Sequence, residues 1–201
     1  MKSSPGSNNN RKKKEMMDRA RVLFWKKSFH GTSMVDLAKA CGCKPANIYN
    51  YFKNKEEILF EVLREEMAEI VDPVEHMEDD SSQPPLEQLL FFIQNHVRPT
   101  LGYRRSAKML FDIELGHLSS DKRKVIVGMR RKYDKILCNI IERGIEAGEF
   151  APTNTKLAAY SIASIIARSR VWYSPRGSLS PDQIGEFIFQ FVVSGLRGNK
   201  Q

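Results

Sequence analysis

Hydrophobic residues recur at a spacing of three to four along almost every periodic segment of the chain, and no stretch alternates cleanly at a spacing of two. A period near 3.6 is typical of helices with one buried face, whereas alternation is typical of strands. The pattern therefore predicts an all-α fold of about nine helices. No internal repeat is visible in the sequence.

The first three predicted helices lie close together in the sequence. The first runs from about Lys13 to Lys27, the second follows a cap at Thr32 or Ser33, and the third begins at Pro45. A glycine at position 42 can end the second helix in a left-handed turn, and proline suits the first turn of the third. Two short helices joined by a tight turn and packed on a longer helix predict a helix-turn-helix motif.

The third predicted helix has distinct inner and outer faces. Ile48 and Phe52 are four residues apart and face inward. Asn47 and Asn50 on the outer side can pair with base edges, while tyrosine hydroxyls and lysines suit phosphates. The alternative is a plain helical hairpin with exposed tyrosines.

The rest of the chain predicts a larger helical body. A polar linker, EDDSSQPP, separates the fourth helix from the fifth, and the ninth is apolar on more than one side, which favours a subunit interface. The predicted bounds of the fourth to ninth helices are, in order, about Lys55–Pro73, Pro85–Pro99, Arg104–Leu115, Ser120–Ala147, Thr155–Tyr173 and Pro181–Leu196.

Charge is concentrated at the N-terminal quarter of the chain. The whole chain carries a formal charge of +8, but residues 1–55 hold 13 Lys and Arg against 3 Asp and Glu, whereas residues 56–201 hold 19 against 21. A basic module on a near-neutral body is typical of a polyanion-binding protein, and a merely solvated charged face is the alternative. The first ten residues are polar and rich in Ser, Asn, Pro and Gly, so they are expected to form a disordered arm.

Other classes of protein fit the sequence poorly. Cys41, Cys43 and Cys138 are odd in number and lack a nearby His or Cys pair for a metal site, which favours reduced thiols, a cytoplasmic protein and no metal. The four histidines have no catalytic motif around them, and no phosphate-cradling glycine loop is present, so an enzyme is not expected. No apolar run approaches the roughly 20 residues of a membrane span.

The ordered pattern from Arg19 to Leu63 resembles the N-terminal domain of the TetR family of bacterial transcriptional regulators. The similarity lies in ARVLF at 20–24, TSMVDLA at 32–38 and CGCKPANIYNYFKNKEEIL at 41–59. The later ERGIEAGEF at 142–150 is similar to a recurrent helix end in the family. Lys44 stands where the family usually has a capping serine, and Ser28 stands where a glycine commonly ends the first helix.

The resemblance implies a dimeric, ligand-responsive regulator that acts as a repressor of a palindromic operator on double-stranded DNA. It implies a domain of DNA-binding helices at residues 11–54, after the arm at 1–10, and a ligand-binding and dimerisation domain at 55–201. The residues that it maps onto DNA contacts are Thr32, Ser33, Lys44, Pro45, Ala46, Asn47, Tyr49, Asn50, Tyr51 and Lys55.

The resemblance also implies an effector pocket and a dimer interface in the C-terminal domain. The interface candidates are Ile184, Phe187, Ile188 and Phe191, for which packing inside the chain is the alternative. Ordinary core packing is likewise the alternative for each pocket candidate. The pocket candidates are Leu63, Met67, Ile70, Phe92, His96, Met109, Ile113, Tyr133, Ile136, Ile140, Ile165, Ser169 and Trp172.

One segment narrows the effector class. WYSPRGSLSP at 172–181 looks like a segment of TetR-family regulators of fatty-acid and sterol catabolism, which respond to acyl-CoA thioesters. A flat cationic drug is the alternative effector, with Asp112 and Glu114 as the nearest candidate carboxylates. A rival function is a helical interaction module that binds nucleic acid without sequence preference.

Overall fold

The computed structural model describes residues 5–80, 82–102 and 115–198. In these ranges every regular element is helical, which confirms the all-α prediction. The α-helices are α1 Pro5–Lys27, α2 Met34–Ala40, α3 Pro45–Tyr49, α4 Lys55–Val71, α5 Pro85–Leu101, α6 Ser120–Glu146, α7 Thr155–Trp172 and α8 Pro181–Arg197, and two 3-10 helices span Asp72–Glu78 and Leu115–His117.

The first helix begins earlier than the hydrophobic pattern predicts. It starts at Pro5 rather than near Lys13, so the arm predicted to be disordered is helical from Pro5 onward. Proline has the backbone angle of a first helical turn, and residues 6–15 hold no further proline, so a helix anchored beyond Met16 can extend to this point.

The fourth helix changes type close to its predicted end near Pro73. The α-helix stops at Val71, and the chain continues as the 3-10 helix Asp72–Glu78. Proline lacks an N–H and disfavours the α conformation of the residue before it, which accounts for the change. The predicted helix from Arg104 to Leu115 lies outside the described residues except for Leu115.

The chain forms two compact units. Among the described residues, the first comprises 5–66 and 115–126, and the second comprises 67–80, 82–102 and 127–198. The predicted domain boundary after residue 54 lies inside the first unit. No helix in the described part of the chain is long and apolar enough to cross a membrane.

Helices α1 to α3 and the start of α4 enclose the core of the first unit. Their inward side chains are nearly inaccessible to solvent, as the spacing of three to four predicts. The largest buried members are Phe24 of α1, Leu37 of α2, Ile48 of α3, Phe52 after α3, and Ile58, Leu59 and Leu63 of α4.

In the second unit α5 is the central helix, and it packs against α7 and α8. Leu89, Phe92 and Ile93 of α5 are fully buried, and so are Ile136 and Ile140 of α6. At the end of α6 the ring of Phe150 lies where a side chain at position 144 would be, since a Cβ there would come within 2.1 Å of it. The ERGIEAGEF segment therefore needs a glycine at 144 to seat this ring.

Candidate DNA-binding and effector sites

A capping box fixes the start of α2. The Asp36 amide donates to the Ser33 hydroxyl at 3.0 Å, and the Ser33 amide donates to the Asp36 carboxylate at 3.0 Å. The hydrogen bond from the Ser33 hydroxyl, then that from the Ser33 amide and then the Lys27 ammonium hold the pKa of Asp36 well below its usual range. The box therefore remains intact at neutral pH.

The turn between α2 and α3 is a glycine-dependent helix end. Gly42 has a φ of +63°, its amide donates to the Lys39 carbonyl at 3.2 Å, and the Cys43 amide donates to the Ala38 carbonyl at 3.0 Å. This pair of bonds is typical of a left-handed helix end, which only glycine adopts without strain. The turn sets the direction in which α3 leaves α2.

Helix α3 has a buried face and an exposed face, as its hydrophobic pattern predicts. Ile48 and Phe52 are each 1% exposed and anchor the helix from inside. Lys44 occupies the N-cap without a side-chain hydrogen bond, as expected for a residue with no acceptor. The outward-facing members of the predicted DNA contacts, Lys44, Pro45, Ala46, Asn47, Tyr49 and Asn50, are exposed, and Tyr51 is half-buried.

Two of the predicted DNA contacts make hydrogen bonds inside the chain. Thr32 is 1% exposed, and its hydroxyl donates to the Ser28 carbonyl at 2.9 Å. The Lys55 ammonium donates to the carbonyls of Phe29 and Thr32 at 2.7 Å each and lies 4.3 Å from the Phe29 ring centroid. Lys55 therefore ties the start of α4 to the turn after α1, whereas Ser33 remains exposed.

The turn after α1 carries the expected strain at position 28. Ser28 has a φ of +62°, a left-handed conformation that costs a non-glycine residue about 1 kcal/mol. Its side chain offsets part of this cost, because the Gly31 amide donates to the Ser28 hydroxyl at 3.3 Å. The departure from the family's glycine is thus accommodated locally.

A buried polar pair lies among the predicted pocket residues of the second unit. Nδ1 of His96 on α5 and the hydroxyl of Tyr133 on α6 are 2.6 Å apart. Phe92 packs on the same tyrosine with ring centroids 4.7 Å apart. Burial, and then the charge of Asp134, raises the pKa of the Tyr133 hydroxyl well above its ordinary value, so Tyr133 is a neutral phenol.

Two family models together match most of the chain. The model described as "Bacterial regulatory proteins, tetR family" matches residues 16–62, which contain the capping box, the glycine turn and α3. The model described as "Tetracyclin repressor-like, C-terminal domain" matches residues 82–196, more than half of the chain. The chain belongs to the TetR family.

Proteins similar to this chain include a transcriptional repressor and a regulator of fatty acid metabolism. The transcriptional repressor KstR2 of Mycolicibacterium smegmatis is 26% identical over 184 residues, which cover 90% of this chain and 89% of that protein. The fatty acid metabolism regulator protein of Bacillus subtilis is 26% identical over 186 residues, which cover 90% and 94%.

Solved structures of TetR-family regulators share the fold. The ketosteroid regulator KstR2 of Mycobacterium tuberculosis aligns with a TM-score of 0.82 at 23% identity, covering 93% of this chain and 95% of that one. AibR, solved with isovaleryl coenzyme A and operator DNA, aligns with a TM-score of 0.77 at 21% identity, covering 90% and 97%. This TetR-family protein is a DNA-binding transcriptional regulator and not an enzyme.

The other pocket candidates of this TetR-family chain occupy different environments. Trp172 is 60% exposed at the end of α7, in contrast to the buried pocket candidates. Met109 and Ile113 lie outside the described residues. Leu63 is buried in the first unit, Met67, Ile136, Ile140 and Ser169 are buried in the second unit, and Ile70 and Ile165 are half-buried.

The interface candidates on α8 divide into two groups. Phe187 and Phe191 are 72% and 61% exposed, whereas Ile184 and Ile188 are each 3% exposed and belong to the core of the second unit. The two isoleucines lie on the inner face of α8, which packs inside the chain, so the two phenylalanines are the exposed interface candidates. Helix α7 adds exposed apolar residues that the sequence analysis did not name as interface candidates: Leu157, Tyr160, Val171 and Trp172.

Replacing Tyr49 by alanine is expected to weaken DNA binding about tenfold without changing the melting temperature. Tyr49 is 53% exposed on α3, so its removal deletes a surface contact and leaves the core intact. Fluorescence anisotropy on a bound DNA fragment measures the effect. Phe91→Ala is the matched control, because Phe91 is 44% exposed on α5 and belongs to the second unit. Unchanged affinity in Tyr49→Ala would remove this residue from the DNA contacts.

Proposed function

We propose that the protein is a homodimeric repressor that binds a palindromic operator and is released by an acyl-CoA thioester. The observation that carries the DNA-binding part is α3, a helix anchored by two buried residues while its outer side chains remain in solvent. A helix of this kind can enter a major groove without disturbing the core behind it. Asn47 and Asn50 are its candidates for adenine edges, and Lys44 for a guanine edge or a phosphate.

The dimer is supported by the exposed apolar residues of α7 and α8. Large apolar side chains on adjacent helices cost free energy in water and are typical of a subunit interface. A second copy of the chain is the proposed partner, since two-fold symmetry places two α3 helices on successive faces of one palindrome. Half-sites one helical turn apart would be separated by roughly 34–36 Å.

The effector class is supported by the relatives and by one polar contact. KstR2 and the fatty acid metabolism regulator are named for steroid and fatty-acid metabolism, and AibR was solved with an acyl-CoA. In this chain the His96–Tyr133 pair puts polar groups among the apolar side chains of α5 and α6. Such a pair can hydrogen-bond a thioester carbonyl at the end of an apolar chain. A hydrophobic cation remains the second candidate; its proposed partners, Asp112 and Glu114, lie outside the described residues.

Fluorescence anisotropy on DNA from upstream of the protein's own gene tests the proposal. Binding is measured at fixed salt, first alone and then with palmitoyl-CoA, with free coenzyme A and palmitate as controls. Tetraphenylphosphonium serves as the cationic probe, because it does not intercalate between the base pairs of the DNA fragment. We expect tight binding that depends on a palindrome and weakens at least tenfold with the thioester.

The other outcomes separate the alternatives. Binding that ignores sequence and falls steeply with salt would replace the repressor by the nonspecific module. Palindrome-dependent binding that responds only to tetraphenylphosphonium would keep the repressor and replace the effector class. A second preparation carrying Tyr133→Phe should bind DNA normally and lose part of its response to palmitoyl-CoA.

A further inference from the structure

The turn between α2 and α3 carries two thiols separated by a single glycine. Cys41 is the C-cap residue of α2, and Cys43 follows Gly42. Both cysteines are half-buried and unbridged, so neither residue is closed off from solvent. Two thiols this close in sequence can react with each other as well as with an oxidant.

The backbone of the turn keeps the two cysteines within reach of a disulfide bond. Gly42 has a φ of +63°, and the Cys43 amide donates to the Ala38 carbonyl, which places a left-handed helical residue between the thiols. In a helical conformation of either hand, Cα atoms two residues apart are about 5.4 Å from each other. Disulfide-bonded cysteines have Cα atoms about 4.4–6.8 Å apart, so a bridge requires no rearrangement of the unit.

A bridge would nevertheless change the turn itself. A disulfide across one residue closes a small ring, and its preferred torsion angle of about 90° constrains the backbone of all three residues. The native turn uses the same backbone for two hydrogen bonds, from the Gly42 amide to the Lys39 carbonyl at 3.2 Å and from the Cys43 amide to the Ala38 carbonyl at 3.0 Å. Closing the ring therefore weakens the bonds that set the direction of α3.

Helix α3 has few contacts of its own to resist such a change. It spans the five residues Pro45–Tyr49, and its N-cap Lys44 makes no side-chain hydrogen bond. Helices this short are not stable by themselves in water, so α3 depends on the turn before it and on its buried anchors, Ile48 and Phe52. A change in the turn therefore moves the outer side chains of α3, which the proposed function places in a major groove.

We infer that Cys41 and Cys43 form a peroxide-sensitive dithiol that closes to a disulfide and releases the protein from DNA. One thiol attacks a peroxide oxygen and the O–O bond breaks, which leaves a sulfenic acid and one water molecule. The second thiol attacks the sulfenic sulfur, the S–S bond forms, and the oxygen leaves as a second water molecule. Two thiols thus give two electrons and two protons to one hydrogen peroxide. The release from DNA rests on the proposed function.

The resting protein holds this pair as two thiols. Burial, and then the neighbouring Cys43, raises the pKa of the Cys41 thiol, so Cys41 is uncharged at neutral pH and unreactive until an oxidant is present. A ring closed over one residue is strained, and strained disulfides are easily reduced. The bridge should therefore open again under reducing conditions.

Peptide mass mapping and DNA binding, measured on one peroxide-treated sample, test the dithiol. Trypsin leaves both cysteines on one peptide, residues 40–53, because Lys44 precedes a proline. We expect this peptide to lose the mass of two hydrogen atoms. Affinity for the upstream DNA fragment, measured by fluorescence anisotropy, should fall about tenfold or more and return after dithiothreitol.

Three serine variants serve as controls, each compared with itself before and after peroxide. Cys41→Ser and Cys43→Ser cannot form the bridge, so peroxide should leave their DNA affinity unchanged. Using both guards against one substitution that disturbs the turn. Cys138→Ser removes the half-buried thiol of α6 in the second unit and should respond to peroxide as the wild type does.

Each other result contradicts a distinct statement. A bridge between Cys41 and Cys43 with unchanged DNA affinity would overturn the release, and a product in which these cysteines link two chains or end as sulfinic acids would overturn the dithiol. A loss of affinity that persists in Cys41→Ser and Cys43→Ser would assign the effect to another residue and overturn the inference. If the reduced wild-type protein bound no DNA fragment, the proposed function itself would fail, whereas the peptide map would still show whether the bridge forms.

Discussion

Replacing both Phe187 and Phe191 by glutamate is expected to yield a monomer of 23.1 kDa in place of a species of twice that mass. The two rings are 72% and 61% exposed in the single chain, so the substitution leaves its core untouched. In a dimer each buried phenylalanine contributes about 2 to 3 kcal/mol, and four carboxylates near a two-fold axis would repel one another. Light scattering at micromolar concentration measures the mass.

The loss of the dimer should also show in DNA binding. Affinity for a palindrome should fall at least a hundredfold, because two linked α3 helices bind at a high effective concentration, whereas affinity for an isolated half-site should be unchanged. Phe91→Glu provides the control, since Phe91 is an exposed aromatic residue of the same unit on α5. A stable dimer of the double variant would place the interface on another surface.

The sequence was sufficient to predict the helix-turn-helix of the first unit, although not the full extent of that unit. Helix periodicity, the Ser33–Asp36 spacing, Gly42 and Pro45 are local signals, and each acts through the backbone of a few neighbouring residues. Local signals of this kind need no knowledge of the tertiary contacts. This is why the inward direction of Ile48 and Phe52 followed from spacing alone.

Roles set by contacts distant in sequence could not be predicted in this way. Lys55 carries a group that suits a phosphate, yet in the folded chain its ammonium donates to the carbonyls of Phe29 and Thr32, 26 and 23 residues before it. Ile184 and Ile188 lie on the side of α8 that packs against the rest of the second unit. Phe187 and Phe191 lie on the side that faces solvent. When a helix has apolar residues on several faces, its sequence does not show which face is buried until the neighbouring helices are known.

Arg21 is the strongest example of a residue whose role depends on distant partners. It lies on the inner side of α1, is 2% exposed, and contacts three carboxylates. It bonds to Asp18 at 2.5 Å and to Glu66 at 3.3 Å, and it also pairs with Glu65. Burial by itself lowers the pKa of Arg21, but the hydrogen bond with Glu65 and the three negative charges outweigh it and raise the pKa. The guanidinium is therefore charged at every accessible pH.

This cluster joins α1 to α4 within the first unit. Glu65 and Glu66 belong to α4 and lie 44 and 45 residues from Arg21, so no local pattern indicates the pairing. The planar guanidinium donates to several carboxylates at once, which a lysine cannot reproduce. The cluster fixes α1 against α4.

Arg21→Met is expected to lower the free energy of unfolding by about 3 to 5 kcal/mol, because removing one partner of a buried ion cluster leaves its carboxylates facing an apolar side chain. The control is Arg64→Met: Arg64 pairs with Glu61 at 2.7 Å on the surface of the same helix pair, and its loss should cost less than about 1 kcal/mol. Urea unfolding followed by circular dichroism measures both variants at one protein concentration. The loss of unfolding free energy in Arg21→Lys should lie between those of the two methionine variants. Lysine keeps the positive charge but lacks the planar guanidinium that donates to several carboxylates at once. Equal losses for Arg21→Met and Arg64→Met would show that the cluster contributes no more to stability than a surface ion pair.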